Sequence, residues 1–432
     1  MSEPAGESST QRLREAATQP AGWWSAELAK QAVVGRHGEG VPPPSAIDGI
    51  DVAALRGWLD ARRSELVDDL VAYVELETPS EDLALLAKGL AHLEEWLAER
   101  LGAPASRVRH ESVDHGDVVV LEYSGSGDRP LTLLAHYDTV WSAGTLDGWP
   151  VRVDDDRISG PGVFDMKAGL VQVVWAVRAL RAAGVPHPRL RLLLNGDEEI
   201  GSPFSRPLIE QACADAAAVL VFEASADGAV KTGRKGVGIF EVEVRGVESH
   251  AGLDPESGAS AVDEIARLVL ELHAAADQAA GTTVNVGVLR GGTRSNVVAG
   301  SAHADVDVRV RSVAAQQHID ELLHGLAPHD SRAEVRVRGG WNRPVMEPSA
   351  AIASVYALAR RGAQRLGFEL AETSVGGASD GNFAAAMGLP VLDGLGAVGG
   401  GAHARHEHVT VGGMVERAAL AAAVIAAFRS SD

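Results

Sequence analysis

The chain has 432 residues, 46% of them hydrophobic and 23% charged, with a formal net charge of -20 at pH 7. That length exceeds one ordinary core and makes two domains the default, and the acidic balance excludes a nucleic-acid or anionic-membrane role, which needs a basic footprint. The single cysteine, Cys213, excludes an intrachain disulfide and fits a cytoplasmic location; residues 1–19 lack an apolar signal core, and no run approaches the roughly 18 apolar residues of a membrane span.

Residues 1–48, rich in Ser, Gly, Ala and Pro, read as a loosely ordered arm, with Trp23 and Trp24 available to pack it onto the body. Asp51 reads as an N-cap. Leu55, Leu59, Leu66, Leu70 and Val74 then predict one helix that stops before Thr78-Pro79-Ser80, and Leu86, Leu90, Leu93 and Leu97 predict a second, interrupted by Gly89. Strands at 118–123, 131–135, 190–194 and 219–222 alternate with helices at 168–183 and 203–214. Cys213 lies on the second of these helices as a buried, inert thiol. Strands that are apolar throughout are covered on both faces, so an α/β domain with a mostly parallel sheet is expected.

Near Lys235 the pattern changes to alternation, with strands at 237–244, 283–289, 302–310 and 333–337 and helices at 259–280 and 314–326. That β-α-β-β-α-β order is the ferredoxin-like unit. The α/β domain resumes with a helix at 350–366, a strand at 389–392 and a helix at 413–428. The predicted organisation is 1–48 as arm, 49–234 plus 345–432 as α/β domain, and 235–344 as insertion.

Acids and a histidine follow the apolar strands closely: His136 and Asp138, then Asp165, Glu198-Glu199 and Glu223. Ligands of open α/β sheets bind beyond the strands' carboxyl ends, and buried carboxylates are costly unless paired or bound to metal. Oxygen and imidazole together suit zinc or its neighbours, which points to a metal-dependent hydrolase. His136 and Asp138, two apart, share a face of an extended segment, so one can hold a metal while the other steadies the ring. Asp165, after the Gly160-Pro161-Gly162 turn, could bridge two cations. Of the adjacent Glu198 and Glu199, one can ligate while the other serves as general base. A second histidine is needed, and the glycine-framed run 399–407 offers His403 and His406. No P-loop pattern supports phosphoryl transfer, and a non-catalytic binding protein would be expected to have lost one of these acids.

These residues resemble the dizinc carboxypeptidase and aminoacylase family, which includes glutamate carboxypeptidases, acetylornithine deacetylase, succinyl-diaminopimelate desuccinylase and carnosine dipeptidases. The likeness covers roughly residues 52–430. It rests on Ala135-His136-Tyr137-Asp138-Thr139-Val140, the segment from Gly160 through Asp165-Met166-Lys167-Ala168-Gly169, Asp197-Glu198-Glu199-Ile200-Gly201-Ser202, and Ser249-His250-Ala251-Gly252. The resemblance implies two Zn2+ ions, with Co2+ or Mn2+ as alternatives, bridged by Asp165. His136 and Glu223 would complete one metal, Glu199 and His403 the other. It also implies Glu198 as general base and acid, Asp138 as the partner of His136, and a cis peptide at Asp165-Met166. The insertion resembles a lid and dimerisation module whose His250 stabilises the oxyanion in a partner subunit's site. Asn296, Arg309 and Ser379 match substrate-binding positions, and Arg343 matches an arginine that holds a substrate carboxylate in the glutamate carboxypeptidase branch. Ala299 departs from a proline usual in the family and implies a local loop effect only. The expected activity is release of a C-terminal, glutamate-like amino acid from a small N-acyl or peptide substrate bearing a free carboxylate, by a metal-activated water. N-acyl-amino-acid deacylase or dipeptidase action is the alternative.

Overall fold

The computed structural model describes residues 40–429. Residues 1–39 of the expected arm, Trp23 and Trp24 included, lie outside the described residues. The arm's last residues are folded, with Pro44–Gly49 forming a 3-10 helix whose Ile47 is buried. The described residues fall into two compact units. One holds Arg234–Glu347 with Gly376–Ala378; the other holds the residues up to Gly233, Pro348–Val375 and those from Ser379 onward.

In the second of these, six strands lie side by side in the order Ser106–His110, Val118–Tyr123, Pro188–Asn195, Ser126–His136, Ala218–Val221 and Val391–Leu392. The first two joins are antiparallel and the other three parallel. Leu133 stands opposite Leu192 on one side and Leu220 on the other. All three are buried, as a run covered on both faces requires. Burying each such leucine stabilises by roughly 1.5–3 kcal/mol. The helices Ala168–Ala182 and Val411–Ala427 pack together and are buried on almost every face, which suits their near-continuous Ala, Val and Leu composition.

The single helix expected over 52–74 is two, Val52–Asp60 and Arg63–Val74. The position that would carry the apolar stripe across the join is Arg62. Its guanidinium turns back over the Trp58 ring, 4.3 Å from the centroid, and the chain breaks there. Asp51 caps the first helix by accepting from the Ala54 N–H at 3.0 Å. Gly89, inside Leu83–Leu101, marks close packing, because a Cβ there would stand 2.4 Å from Thr78 Cγ2.

The other unit is a four-stranded antiparallel sheet in the order Thr283–Gly291, Ser301–Val310, Gly236–Arg245 and Glu334–Arg343. Helices Ala261–Ala274 and Val313–Gly325 follow its first and third strands in the chain. Alternation along Ser301–Val310 sends Ala304, Val306 and Val308 into a core shared with Ile265, Leu268 and Ile319. The helix expected to reach 280 ends at Ala274. Beyond it, Asp277 and Thr282 exchange backbone hydrogen bonds at 3.0 and 2.7 Å around Gly281, whose φ is +81°. The unit's two chain ends meet: Arg234 and Met346 exchange backbone hydrogen bonds at 2.9 and 3.1 Å.

Candidate metal centre

Parallel neighbours end on the same edge of a sheet, and the acids gather there. His136 is the last residue of its strand. Glu198 and Glu199 form a 3-10 turn just past Asn195, and Glu223 lies two residues beyond Val221. Asp165 precedes the helix Ala168–Ala182 in a tight turn whose Asp165-Met166 peptide is cis. Gly169 lets that helix approach the strand end, since a Cβ there would stand 1.9 Å from the Phe222 carbonyl oxygen. His403 sits in the glycine loop at φ +59°, a region few non-glycine residues adopt.

The two oxygens of Asp165 face different histidines. Oδ1 lies 3.4 Å from His136 Nε2 and Oδ2 lies 3.3 Å from His403 Nε2. Each imidazole nitrogen also faces a glutamate: His136 Nε2 is 3.3 Å from Glu223 Oε1, and His403 Nε2 is 3.2 Å from Glu199 Oε2. Glu198 also reaches this space; its carboxylate, that of Glu223 and the His136 imidazole offer ligand atoms within 4.8 Å of one another. His136 Nε2 and Glu199 Oε1 are buried yet make no hydrogen bond. An interior polar atom in that state is costly, and a cation among these donors relieves the cost.

Asp138 organises the floor. Its backbone carbonyl accepts from His136 Nδ1 at 3.1 Å, with the carboxylate Oδ1 at 3.3 Å, which leaves the Nε2 lone pair directed at the acids. The same carboxylate accepts the backbone N–H groups of Glu198 and Glu199 at 3.2 and 3.1 Å and the Ser80 hydroxyl at 2.8 Å.

The charges of the cluster act on one another's protonation. Asp165 is held far below the usual carboxylate range, because His136 and His403 outweigh a burial that opposes them. Burial, then the charge of Asp165, pushes Glu199 up to about 7. Hydrogen bonding to Asp165 and Glu199 pushes His403 up to about 11. A site that draws protons this strongly is one that attracts cations.

Several supporting residues carried no assignment from sequence. Glu407 is fully buried and accepts from the Gly162, Phe164 and Asp165 N–H groups and from Trp141 Nε1. Asp197 accepts from Phe204 N and Ser205 N, and Asp380 from Ser202 Oγ and Asn195 Nδ2. Burial lowers Lys167 to about 7 against the pull of Glu407 and Glu77, while its Nζ donates to the Tyr73 and Leu76 carbonyls. Cys213, by contrast, is expected as a buried, inert thiol and is enclosed, with burial raising its thiol far above its ordinary value.

The remaining expected positions are more varied. Ser379 is fully buried, and its hydroxyl donates to Asp393 Oδ2 at 2.5 Å and accepts the Gly381 N–H, so it shapes its loop and does not offer that hydroxyl to solvent. In the other unit, His250 and Asn296 are brought together: the Ala251 N–H donates to the Asn296 carbonyl at 3.0 Å, and both residues are exposed. The His250 Nδ1 accepts the Gly252 and Leu253 N–H groups at 3.1 Å each. Arg309 spends its fork on Asp307, with two contacts of 2.9 Å, and Arg343 ends its strand buried, at 3% exposure.

Residues 132–427 match the family described as peptidase family M20/M25/M40. Carboxypeptidase G2 from Pseudomonas sp. (strain RS-16) is 31% identical over 373 residues, covering 83% of this chain and 88% of its own. Acetylornithine deacetylase from Myxococcus xanthus is 33% identical over 218 residues, covering 48% of this chain and 56% of its own. In fold, the chain is similar to the aminopeptidase PepT from Bacillus cereus ATCC 10987, with a TM-score of 0.67 at 21% identity over 85% of this chain and 98% of that one. It is similar also to human carnosine dipeptidase 1, with a TM-score of 0.58 at 17% identity over 87% of this chain and 99% of that one.

Proposed function

Because this chain belongs to peptidase family M20/M25/M40, and so is a metallohydrolase of peptide or amide bonds, we propose that it uses two zinc ions to release a C-terminal, glutamate-like amino acid from a small N-acyl or peptide substrate. The observation that carries the two-ion reading is Asp165, whose oxygens face His136 and His403 separately. His136, Glu223 and Asp165 would hold one ion, and Asp165, Glu199 and His403 the other. This mixture of carboxylate and imidazole suits zinc, with cobalt or manganese as substitutes. Bound there, the ions would polarise the scissile carbonyl and lower the pKa of a water.

The chain's own groups do the remaining work. Glu198 takes the proton of the attacking water and returns it to the leaving nitrogen. Asp138 holds that residue's main chain and, from the other side, the His136 ring. Nδ1 of His250 already accepts two N–H groups, which leaves Nε2 as the ring position able to donate. That N–H would donate to the oxyanion, a charge present only in the transition state. We assign this contribution to the partner subunit's copy in a homodimer joined through the 235–344 segment, taken as a ferredoxin-like lid. Arg343, Arg309 and Asn296 would receive the substrate's carboxylate side, and Ser379 would fix the loop that carries it. The single buried thiol is consistent with a cytoplasmic enzyme.

The likeness to carboxypeptidase G2 over most of both chains favours the carboxypeptidase reading, while the shorter match to acetylornithine deacetylase supports N-acyl-amino-acid deacylation as the alternative. A library of N-acyl amino acids and dipeptides, incubated with zinc-loaded and chelator-stripped protein and read by mass, separates them. Release of free C-terminal amino acid from N-acyl-glutamates, lost on stripping and restored by zinc, is expected. Turnover untouched by stripping would sink the two-zinc reading.

A further inference from the structure

We propose that Glu407 is a positioning residue that holds the turn carrying Asp165 in register with the loop carrying His403, and so sets the separation of the two metal half-sites. The inference rests on the metal-centre reading above and gives it a component that no metal ligand supplies.

Glu407 lies four residues beyond His403 and is fully buried. Its Oε1 accepts the Phe164 and Asp165 N–H groups at 2.8 and 3.0 Å, and its Oε2 accepts the Gly162 N–H and Trp141 Nε1 at 3.0 Å each. One carboxylate thus gathers the main chain on both sides of Val163, and Asp165 itself, onto a single anchor. The anchor is rigidly joined to His403, because the Glu407 N–H closes a turn onto the Ala404 carbonyl at 2.9 Å and the Ala404 N–H closes another onto Gly401 at 2.9 Å. A Cβ on Gly401 would stand 2.9 Å from the Glu407 nitrogen, so the loop is compact where the two meet. N–H groups just ahead of a helix lack acceptors within it, and a carboxylate answers them with charge-assisted bonds.

The chemistry requires a carboxylate and not merely a polar side chain. Two oxygens offer about four lone-pair sites, and four donors are present. A glutamine would turn an NH2 group toward two of those donors, losing their bonds and pushing them away. Asp165 Oδ2, 3.3 Å from His403 Nε2, would then drift relative to the second half-site, while His136, held by Asp138, would stay.

The test compares full-length wild type, Glu407→Gln and Glu407→Asp. In chelator-stripped protein, amide hydrogen exchange at 162–165 should quicken at least about tenfold in E407Q as local opening becomes easier. Zinc affinity by chelator competition should weaken roughly 10–100-fold, the usual effect of removing a group that orients ligands. The loss in turnover should appear in kcat, with KM within about twofold of wild type. E407D, with its charge on a shorter stem, should fall between, and it carries the same readouts if E407Q does not fold. A lowered unfolding midpoint with wild-type zinc affinity and exchange would make Glu407 a buried structural acid and overturn the inference, leaving the metal centre standing. Absence of zinc binding by wild type, with faster exchange in stripped E407Q, would instead remove the metal reading and leave the link between the two loops.

Discussion

Asp138 Oδ1 accepts the backbone N–H of Glu198 at 3.2 Å, while Asp138 also lies against the His136 ring. One buried carboxylate therefore ties the end of one strand to the turn that follows its neighbour. Asp138→Asn would set an amide NH2 against N–H donors from Glu198 and Glu199. We expect kcat to fall about 10–100-fold, with zinc affinity reduced in parallel. Ser80→Ala, which removes only one donor, should cost less than about tenfold. Steady-state kinetics with chelator competition checks both, and a D138N enzyme of normal kcat would refute the clamp.

Glu198→Gln keeps the shape of the turn and removes the proton acceptor. Turnover should drop by about 10²–10⁴-fold, with zinc content near that of wild type because Glu199 remains. Elemental analysis beside kcat is the measurement. A comparable loss of metal would move Glu198 from proton carrier to ligand.

Gly169→Ala places a methyl group 1.9 Å from the Phe222 carbonyl oxygen, a backbone atom that cannot rotate away. Overpacking of this kind costs about 1–3 kcal/mol. It should also shift Glu223, the next residue along. Urea unfolding and zinc titration should both register the change; an unaltered midpoint would contradict the close approach.

Glu122 lies between Arg189 and Arg191, at 2.9 and 2.7 Å. Burial opposes its ionisation, but hydrogen bonds from Arg191 and Arg189 prevail and hold it below the usual glutamate range. A depressed carboxylate contributes stability that is complete above its unfolded pKa and disappears as pH falls through the folded value. Glu122→Gln should therefore destabilise by about 1 kcal/mol at neutral pH and by nothing once the acid is protonated. Thermal unfolding of the two proteins across the acid range tests this: a pH-independent gap would be wrong for this cluster.

The sequence made some of this legible and hid the rest for definable reasons. Leu131–Ala135, Leu190–Leu194 and Val219–Phe222 are almost continuously apolar, broken only by Thr132 and Arg191, so their strands, and the acids just past them, could be located from composition alone. The helix break at Arg62 was hidden because Leu59 and Leu66 keep helical spacing across it; only the stacking of Arg62 on Trp58 reveals the turn. Glu407 stands in the run Arg405-His406-Glu407-His408, whose polarity reads as surface, although its side chain is enclosed. Ser379 and Arg309 were visible as residue types, but their commitments to Asp393 and Asp307 depend on partners that spacing does not disclose.

Arg234 and Met346, more than a hundred positions apart in the chain, sit side by side. The segment between them leaves and returns at one place, and each doubling of its length adds only about 0.6 kcal/mol to the entropy of closing it. Such a junction permits the segment to be lengthened, trimmed or traded for another without rethreading its host, so new specificities can be grafted onto an unchanged hydrolytic scaffold.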